Sequence, residues 1–329
     1  MPESIKRSDR LDPEARALLE FMDAQGGPPL ESLDPAEARA TRTGPMAQMG
    51  GEPEPLERIQ DISIPGPATS LPARIYATTT GGLRPGYIYF HGGGFVFGNL
   101  DTHDTVCRSF AKQSGAVVVS VDYRLAPEHK FPAAVDDCYA AVTWVAANTE
   151  SLGIDRQRIA IGGDSAGGNL ATVAAMRCRD AGGPPLVAQI LVYPVADLSS
   201  QDTPSHRECG EAYFLTSAAM TWFNGHYLPF PDLARHPEAS PFLAPNVAGL
   251  PPALVITAEF DPLRDEGEAY ARRMREAGVP VTISRYPGMI HGFVSMHGML
   301  NAGRQAIREA AEFLQSAASS VDARRAAIY

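Results

Sequence analysis

Short apolar runs alternate with amphipathic stretches along most of the chain, and this alternation indicates the class of fold. Runs of four to six β-prone residues predict strands, whereas longer stretches with an apolar face predict helices. The predicted strands cover residues 59–64, 73–77, 87–90, 117–122, 158–161, 189–193, 254–258 and 281–286. The predicted helices cover residues 133–148, 169–180, 266–277 and 302–317. This alternation predicts an α/β protein with a mostly parallel, twisted sheet that has helices on both faces.

Two segments depart from the alternation, one at the N terminus and one in the second half of the chain. In the first, Asp12 and Asp34 each precede a proline, which predicts the starts of two helices. A linker rich in glycine, proline and methionine is expected at residues 44–55. Residues 197–250 are rich in proline and aromatic side chains, which indicates an insertion. We expect the two segments together to form a lid over the carboxyl ends of the strands.

The predicted organisation is one core domain interrupted by its cap. Residues 1–50 are expected to form the N-terminal part of the cap, and residues 51–196 the first part of the core. Residues 197–250 are expected to form the cap insertion, and residues 251–329 the rest of the core. A length of 329 residues fits one large domain with insertions.

The sequence Gly-Asp-Ser-Ala-Gly at residues 163–167 lies between a predicted strand and a predicted helix. A tight turn with flanking glycines places the Ser165 hydroxyl clear of the strand end. The helix that follows directs free N–H groups, including that of Ala166, toward any anion that forms there. The pattern is typical of a nucleophile elbow, although the short motif alone is weak.

The sequence His-Gly-Gly-Gly at residues 91–94 directly follows another predicted strand. Three glycines let the backbone pass close to a ligand and turn its N–H groups inward. An oxyanion hole requires such a loop opposite the nucleophile. We therefore take Gly92, Gly93, Gly94 and Ala166 as the candidate oxyanion-hole residues, with Gly92 enabling the turn and the other three donating.

With these motifs the chain resembles the bacterial hormone-sensitive-lipase-like esterases, a family of α/β hydrolases. The matching segments span about 200 residues in the family's order, and none departs from the family pattern at a catalytic position. They lie at residues 91–95, 122–129, 163–168, 261–267 and 291–293. The resemblance implies the α/β-hydrolase fold with an eight-stranded sheet and a helical cap. It also implies hydrolysis of short acyl esters by a serine, histidine and acid mechanism.

A serine nucleophile needs a base, and the candidate is His291 on a short loop after the last predicted strand. In this fold the histidine follows the serine and the acid along the chain. Three histidines precede Ser165 and three fall within the insertion. His297, six residues further on, is the remaining rival and is expected to be a solvated histidine at a helix start.

The acid that orients the histidine has two candidates at strand ends. Asp261 follows the strand at 254–258, and Asp197 follows the preceding strand. A carboxylate at either end could in principle hold the imidazole tautomer. Only the segment around Asp261 matches the family motif, so the resemblance favours Asp261.

Other charged residues near the motifs are expected to have structural roles. Asp164 lacks a matching second carboxylate for glycosidase-type chemistry, so it is expected to support the loop beside the nucleophile. Residues 123–129 predict internal ion pairs or hydrogen bonds, with direct substrate contact left open. Asp265 and Glu266 begin a predicted helix, where acidic side chains favour the helix dipole.

Charge excludes some classes of partner. The formal net charge is -10, with no compensating basic cluster, which argues against nucleic acid or an anionic membrane as partner. A hydrophobic content of 44% with 20% charged residues is ordinary for a globular protein with a buried core. The resemblance implies a small-molecule ester as the partner, and a homodimer stays open as the assembly.

The chain carries no signal for a cofactor, a metal or export. It has no dinucleotide-binding glycine pattern and no P-loop, so we expect neither cofactor nor metal. The first ten residues are charged without a following apolar segment, and no run approaches ~18 apolar residues, which predicts a cytoplasmic protein. Cys107, Cys138, Cys178 and Cys209 have no metal or redox spacing and are expected to be buried or incidental thiols.

The predicted function is a serine carboxylesterase that acts on short- to medium-chain acyl esters through a Ser165–His291–Asp261 triad. Two alternatives stay open. One is another acyl hydrolase on the same triad, namely an amidase, a lactonase or a thioesterase. The other is a small-ligand receptor like the plant gibberellin receptors, which resemble this family but lack the histidine. Here His291 is present.

Overall fold

The computed structural model describes residues 7–326, and the first six and last three residues of the predicted cap and core segments lie outside it. Eight strands in the described chain form one sheet in the order β1-β2-β4-β3-β5-β6-β7-β8. They are β1 Arg58–Pro65, β2 Ser70–Ala77, β3 Arg84–Phe90, β4 Val117–Val121, β5 Ile154–Asp164, β6 Ala188–Val192, β7 Ala253–Phe260 and β8 Val281–Ile290. The pairs β1–β2 and β2–β4 are antiparallel and the others are parallel. The predicted mostly parallel, eight-stranded sheet is confirmed.

Helices cover both faces of the sheet, as predicted. In the described chain they are α1 Pro13–Gln25, α2 Pro35–Met49, α3 Asp104–Ser114, α4 Ala133–Ala147, α5 Thr149–Leu152, α6 Ala166–Asp180, α7 Pro204–Cys209, α8 Ser217–Tyr227, α9 Arg264–Glu276 and α10 Asn301–Ala326. Residues of α4, α6 and α9 form one buried apolar cluster, and residues of α1, α3 and α10 form another. Because each sheet face is covered in this way, a central strand such as β4 is buried at all five positions.

The N-terminal helices begin where the capping residues predict. The Asp12 carboxylate accepts the Glu14 N–H, the Asp34 carboxylate accepts the Glu37 N–H, and a proline follows each cap. These bonds satisfy N–H groups that the first helical turn leaves free. Helix α1 ends at Gln25, directly before the Gly-Gly-Pro-Pro sequence.

The N-terminal segment and the insertion contact each other. The Trp222 indole of α8 donates to the Leu33 carbonyl at 3.1 Å, and the Ser8 N–H donates to the Tyr213 hydroxyl at 3.1 Å. Arg7 also donates to a carbonyl of the insertion at 2.7 Å. These contacts support a two-part cap, whose boundaries stay a prediction.

Several elements differ from the prediction, among them three helices. Helix α2 runs to Met49, through Gly44 and Pro45, so the linker expected at 44–55 begins later. Helix α3 was not predicted, and α10 extends beyond residue 317. Local propensity is a weak constraint, and packing against the rest of the molecule outweighs it at these positions.

All four cysteines are buried and free, as the prediction of buried thiols requires. Among residues 7–326, no helix combines the length and the apolar content needed to span a bilayer.

Candidate active site

Ser165 lies at the junction of β5 and α6 in a conformation that few residues other than glycine adopt. Its backbone has φ 56° and ψ -117°. The turn after β6 holds it there, since the Ser165 N–H donates to the Val192 carbonyl at 2.8 Å and the Val195 N–H donates to the Ser165 carbonyl at 3.2 Å. A strained backbone conformation persists only where surrounding contacts hold it in place, and such strain is characteristic of functional turns.

The glycines on either side of Ser165 allow strand β3 to pass close to the turn. A Cβ atom on Gly163 would lie 2.1 Å from the Phe90 carbonyl oxygen, and one on Gly167 would lie 1.9 Å from it. Both contacts are with backbone, which cannot move aside easily. The spacing of glycines around the serine is therefore a packing requirement at the end of β3.

The structure brings together the serine, histidine and aspartate that the sequence singles out. His291 Nε2 lies 3.0 Å from the Ser165 hydroxyl, and His291 Nδ1 lies 2.7 Å from Asp261 Oδ2. Asp261 is fully buried, and its second oxygen accepts the Leu263 N–H at 2.9 Å. The three side chains follow β5, β8 and β7 at the carboxyl edge of the sheet. In this arrangement the imidazole can take the serine proton while the carboxylate fixes its orientation.

The rival candidates have other partners. One oxygen of Asp197 accepts the N–H and the hydroxyl of Ser199, at 2.8 and 2.7 Å, and so closes its own turn. The prediction that His297 is solvated is wrong, because its side chain is buried, with Nδ1 3.1 Å from the Val294 carbonyl. Neither side chain has a hydrogen bond to His291 or Ser165 in the described chain.

The glycine loop offers backbone N–H groups beside the serine. Gly93 and Gly94 have φ values of 117° and 60°, which glycine adopts readily. No acceptor within residues 7–326 takes the N–H of Gly93, Gly94 or Ala166. Gly92 differs, because its N–H donates to Asp164 Oδ1 at 2.8 Å. Of the four candidates, Gly92 thus anchors the loop, and the other three have N–H groups free for an oxyanion.

Asp164 supports this loop, as the sequence predicts. It also accepts the Tyr89 hydroxyl at 2.6 Å, and the Ser295 hydroxyl lies 3.4 Å from its other oxygen. Burial alone would raise the pKa of Asp164, but His103 and these hydrogen bonds hold that pKa at about 2. Asp164 is therefore a carboxylate that joins the elbow, the loop and the segment after His291.

The segment at 123–129 carries internal contacts, as predicted. Arg124 forms an ion pair with the fully buried Asp137 at 2.7 Å. Glu128 pairs with Arg39 of the cap helix α2 at 2.7 Å. The Tyr123 hydroxyl donates to the His91 carbonyl at 2.7 Å, which anchors the start of the glycine loop.

Glu266 differs from its predicted role at a helix start. It is buried, and one of its oxygens accepts the N–H groups of Ala196 and Asp197 at 2.8 and 3.2 Å. Burial raises the pKa of Glu266 well above its usual value, and the two N–H bonds oppose this only in part. Glu266 thus holds the turn after β6. Its neighbour Asp265 accepts the Ser205 N–H at 2.8 Å and so contacts α7 of the cap.

Two aromatic side chains of the insertion lie against the site. A Cβ atom on Gly94 would lie 2.3 Å from the Phe223 ring, and one on Gly292 would lie 3.1 Å from the Phe214 ring. Phe223 is also in edge contact with Phe97, with ring centroids 5.3 Å apart. Phe223 therefore flanks the glycine loop, and Phe214 flanks the loop of the histidine.

Sequence reasoning missed two residues beside the triad. The Tyr193 ring lies 4.6 Å from the His291 ring, and the His103 ring lies against Asp164. No local spacing links either residue to its partner, because the contacts arise from chain segments far apart in sequence. The only signal in the sequence was the position of the two residues, since Tyr193 ends the predicted strand at 189–193 and His103 follows the glycine loop at 91–94.

Comparison with known proteins gives consistent matches. A family model described as alpha/beta hydrolase fold matches residues 87–295. The esterase LipI of Mycobacterium tuberculosis is 46% identical over 256 residues, which cover 77% of this chain and 80% of that protein. The ethyl acetate hydrolase of Pseudomonas putida is 36% identical over 316 residues, covering 93% of this chain and 98% of that protein. A similar crystal structure is that of a serine-to-alanine variant of LAE6, an alpha/beta hydrolase enzyme from the metagenome of Lake Arreo, Spain. It has a TM-score of 0.91 and 44% sequence identity, and the match covers 94% of this chain and 99% of that chain.

These matches cover the parts of the chain that build the site. The family model begins in β3, before the glycine loop, and ends just beyond His291. The relatives align over most of the chain, including parts of the cap. The chain therefore belongs to the alpha/beta hydrolase family, among the hormone-sensitive-lipase-like esterases that its motifs resemble.

Proposed function

We propose that the protein is a serine carboxylesterase that hydrolyses short- to medium-chain acyl esters without a cofactor. One observation carries the proposal: His291 lies within hydrogen-bond distance of both Ser165, at 3.0 Å, and Asp261, at 2.7 Å. The relatives named esterase and ethyl acetate hydrolase support ester substrates and, in the second case, a short acyl group.

In the proposed reaction, Ser165 attacks the ester carbonyl while His291 takes the hydroxyl proton. The N–H groups of Gly93, Gly94 and Ala166 stabilise the oxyanion of the tetrahedral intermediate. His291 then gives its proton to the leaving alcohol, and an acyl-enzyme remains. Water attacks the acyl-enzyme with His291 as base, which releases the acid and restores the serine.

The cellular setting is part of the proposal. Four buried, free thiols and a net charge of -10 support a cytoplasmic protein whose partner is a small ester and not a nucleic acid or a membrane. A homodimer is the assembly to test, by light scattering of the purified protein.

A panel of p-nitrophenyl esters from acetate to palmitate tests the activity, with matched amides to detect amidase activity. Ser165→Ala should lower kcat by roughly 10⁴-fold or more with an unchanged melting temperature, because only one small hydroxyl is lost. Ser151→Ala, at an exposed position of α5, is the matched control and should keep the full rate. A Ser165→Ala enzyme with more than about a tenth of the wild-type rate would show that another group is the nucleophile.

A further inference from the structure

Asp164, the residue before Ser165, is a buried carboxylate that connects the elbow with the glycine loop. Its Oδ1 accepts the Tyr89 hydroxyl at 2.6 Å and the Gly92 N–H at 2.8 Å. A carboxylate so far from water is costly unless a positive charge lies beside it as well as hydrogen-bond donors. The group placed to supply that charge is a histidine.

His103 lies directly before helix α3 and is 1% exposed. Its Nε2 lies 3.3 Å from Asp164 Oδ1, and its Nδ1 lies 2.9 Å from the Thr102 hydroxyl oxygen. Each ring nitrogen therefore faces an oxygen. What each oxygen can donate or accept determines where the imidazole protons are.

The Thr102 hydroxyl has a single proton and two acceptors within reach, the Asn99 carbonyl and His103 Nδ1, each at 2.9 Å. The hydroxyl also accepts the Asn99 N–H at 3.0 Å. When its proton is directed to the carbonyl, the hydroxyl accepts from His103 Nδ1, and Nδ1 then carries a proton. Asp164 is ionised and accepts from its other partners, so Nε2 carries a proton as well. A histidine with both nitrogens protonated is an imidazolium.

The neighbouring His91 offers a contrast within the same cluster. Its ring lies 5.6 Å from that of His103, and its Nδ1 faces the Gly92 carbonyl at 2.8 Å. Its Nε2 has no hydrogen-bond partner in the part of the chain that the structure describes. Burial and the nearby His103 lower the pKa of His91 to about 3. His91 is therefore the neutral member of the pair.

We propose that His103 is a positioning residue, held as a buried imidazolium whose charge keeps Asp164 ionised and thereby fixes the glycine loop. The inference rests on the proposed function, because it assigns the loop its role in binding an oxyanion. Asp164 Oδ1 holds the N–H of Gly92, and the donors of Gly93 and Gly94 follow in the same loop. Without the charge, Asp164 can take up a proton or turn away, and the loop donors shift from the oxyanion.

The charge of His103 can be measured on the full wild-type protein. Long-range ¹H–¹⁵N correlation spectra of the eight histidines distinguish an imidazolium from either neutral tautomer. At about pH 7.5 we expect His103 to show two protonated ring nitrogens and His91 to show one, on Nδ1. The spectrum of Ser165→Ala should give the same pattern, so this result does not depend on catalysis.

The positioning role is tested by His103→Gln, which keeps a polar side chain but removes the charge. We expect kcat to fall by roughly 10- to 100-fold with little change in KM, because oxyanion stabilisation acts only in the transition state. The affinity for a trifluoromethyl ketone, which forms an oxyanion adduct with the serine, should fall by the same factor. His129→Gln, an identical change at an exposed histidine, should leave all three values unchanged.

Either of two results overturns the inference. A wild-type spectrum in which His103 carries only one ring proton would exclude the proposed charge, and this result does not require His103→Gln to fold. The positioning role would be excluded if the wild-type spectrum shows the imidazolium but His103→Gln keeps the wild-type kcat and inhibitor affinity. Failure of the proposed function is distinct from both, since it would appear as full activity in Ser165→Ala or as no ester hydrolysis by the wild type.

Discussion

His291 has a defined partner at each ring nitrogen, and this fixes what it can do. Asp261 is a buried acceptor, so the Nδ1 that faces it at 2.7 Å carries the proton. Nε2 is then the basic nitrogen, and it faces the Ser165 hydroxyl at 3.0 Å. A general base needs this tautomer in this orientation. The position of Asp261 therefore sets both the tautomer and the direction of the ring.

At the residue scale, Asp261→Asn should lower kcat by about 10³- to 10⁴-fold at neutral pH, because the amide favours the wrong imidazole tautomer. Asp197→Asn is the matched control, and its effect should be mild, since within the described chain the Asp197 side chain accepts only from Ser199 of its own turn. Steady-state kinetics on one ester compares the two variants. The opposite ranking would move the acid to the end of β6.

The sequence could predict residues that carry motifs but not residues defined by contact. Ser165 and His291 lie in recognisable turns after strands, and the family pattern separated Asp261 from Asp197. His103 and Tyr193 could not be found in this way. Their partners lie 61 and 98 residues away, and only the packed fold brings them together.

At the scale of elements, the cap helix α8 and the glycine loop form one wall of the site. The Phe223 ring occupies the space where a side chain on Gly94 would lie. Trp222 and Phe97 pack around it, with ring centroids 5.3 Å from that of Phe223. Since apolar walls limit the length of bound chains, we predict that this cluster limits the acyl length.

Phe223→Ala should therefore shift the chain-length preference toward longer acyl esters, because an aromatic side chain next to the site is removed. Phe230→Ala removes the same side chain from a position that is 69% exposed and serves as the control. The ratio of kcat/KM for octanoate to that for acetate is the measurement. We expect it to rise by roughly 10-fold in the first variant only. An equal ratio in both variants would remove Phe223 from the specificity-determining wall.

The elements themselves were predictable where patterns were regular. Strand β4 is a continuous valine-rich run, and α6 follows the serine motif. Helix α3 was not predicted, although its buried residues Cys107, Phe110 and Ala111 recur at helical spacing and pack toward β4 and α10. The C-terminal part of α2, residues 44–49, is predicted as a linker because Gly44 and Pro45 disfavour helices locally.

For the whole molecule, the burial of an acidic side chain at the carboxyl edge of the sheet makes the free energy of unfolding depend on pH. Asp122 directly follows β4. Burial raises its pKa to about 6, with Asp101 adding to the effect and Arg74 opposing it. The folded state therefore binds a proton at Asp122 more tightly than the unfolded chain does. Between the usual aspartate pKa of about 4 and a pH of about 6, Asp122 is ionised in the unfolded chain but still largely protonated in the folded state. The free energy of unfolding therefore falls as the pH rises through this range.

Asp122→Asn should remove this pH-dependent cost. At about pH 7.5 the variant should melt roughly 2 °C above the wild type, and at about pH 4 the two should differ little. Melting curves by circular dichroism at both pH values provide the measurement. A gain of equal size at both pH values would show that the effect does not come from ionisation of Asp122.

If Ser165 is the nucleophile of an acyl-enzyme mechanism, as we propose, a reagent that phosphonylates active serines must label it covalently. The purified protein is treated with a p-nitrophenyl phosphonate, and intact mass and peptide mapping locate the adduct. We expect one phosphonyl group per chain on Ser165, loss of esterase activity in step with labelling, and no adduct on Ser165→Ala. Stoichiometric labelling of a different residue, or undiminished labelling of Ser165→Ala, would contradict the claim.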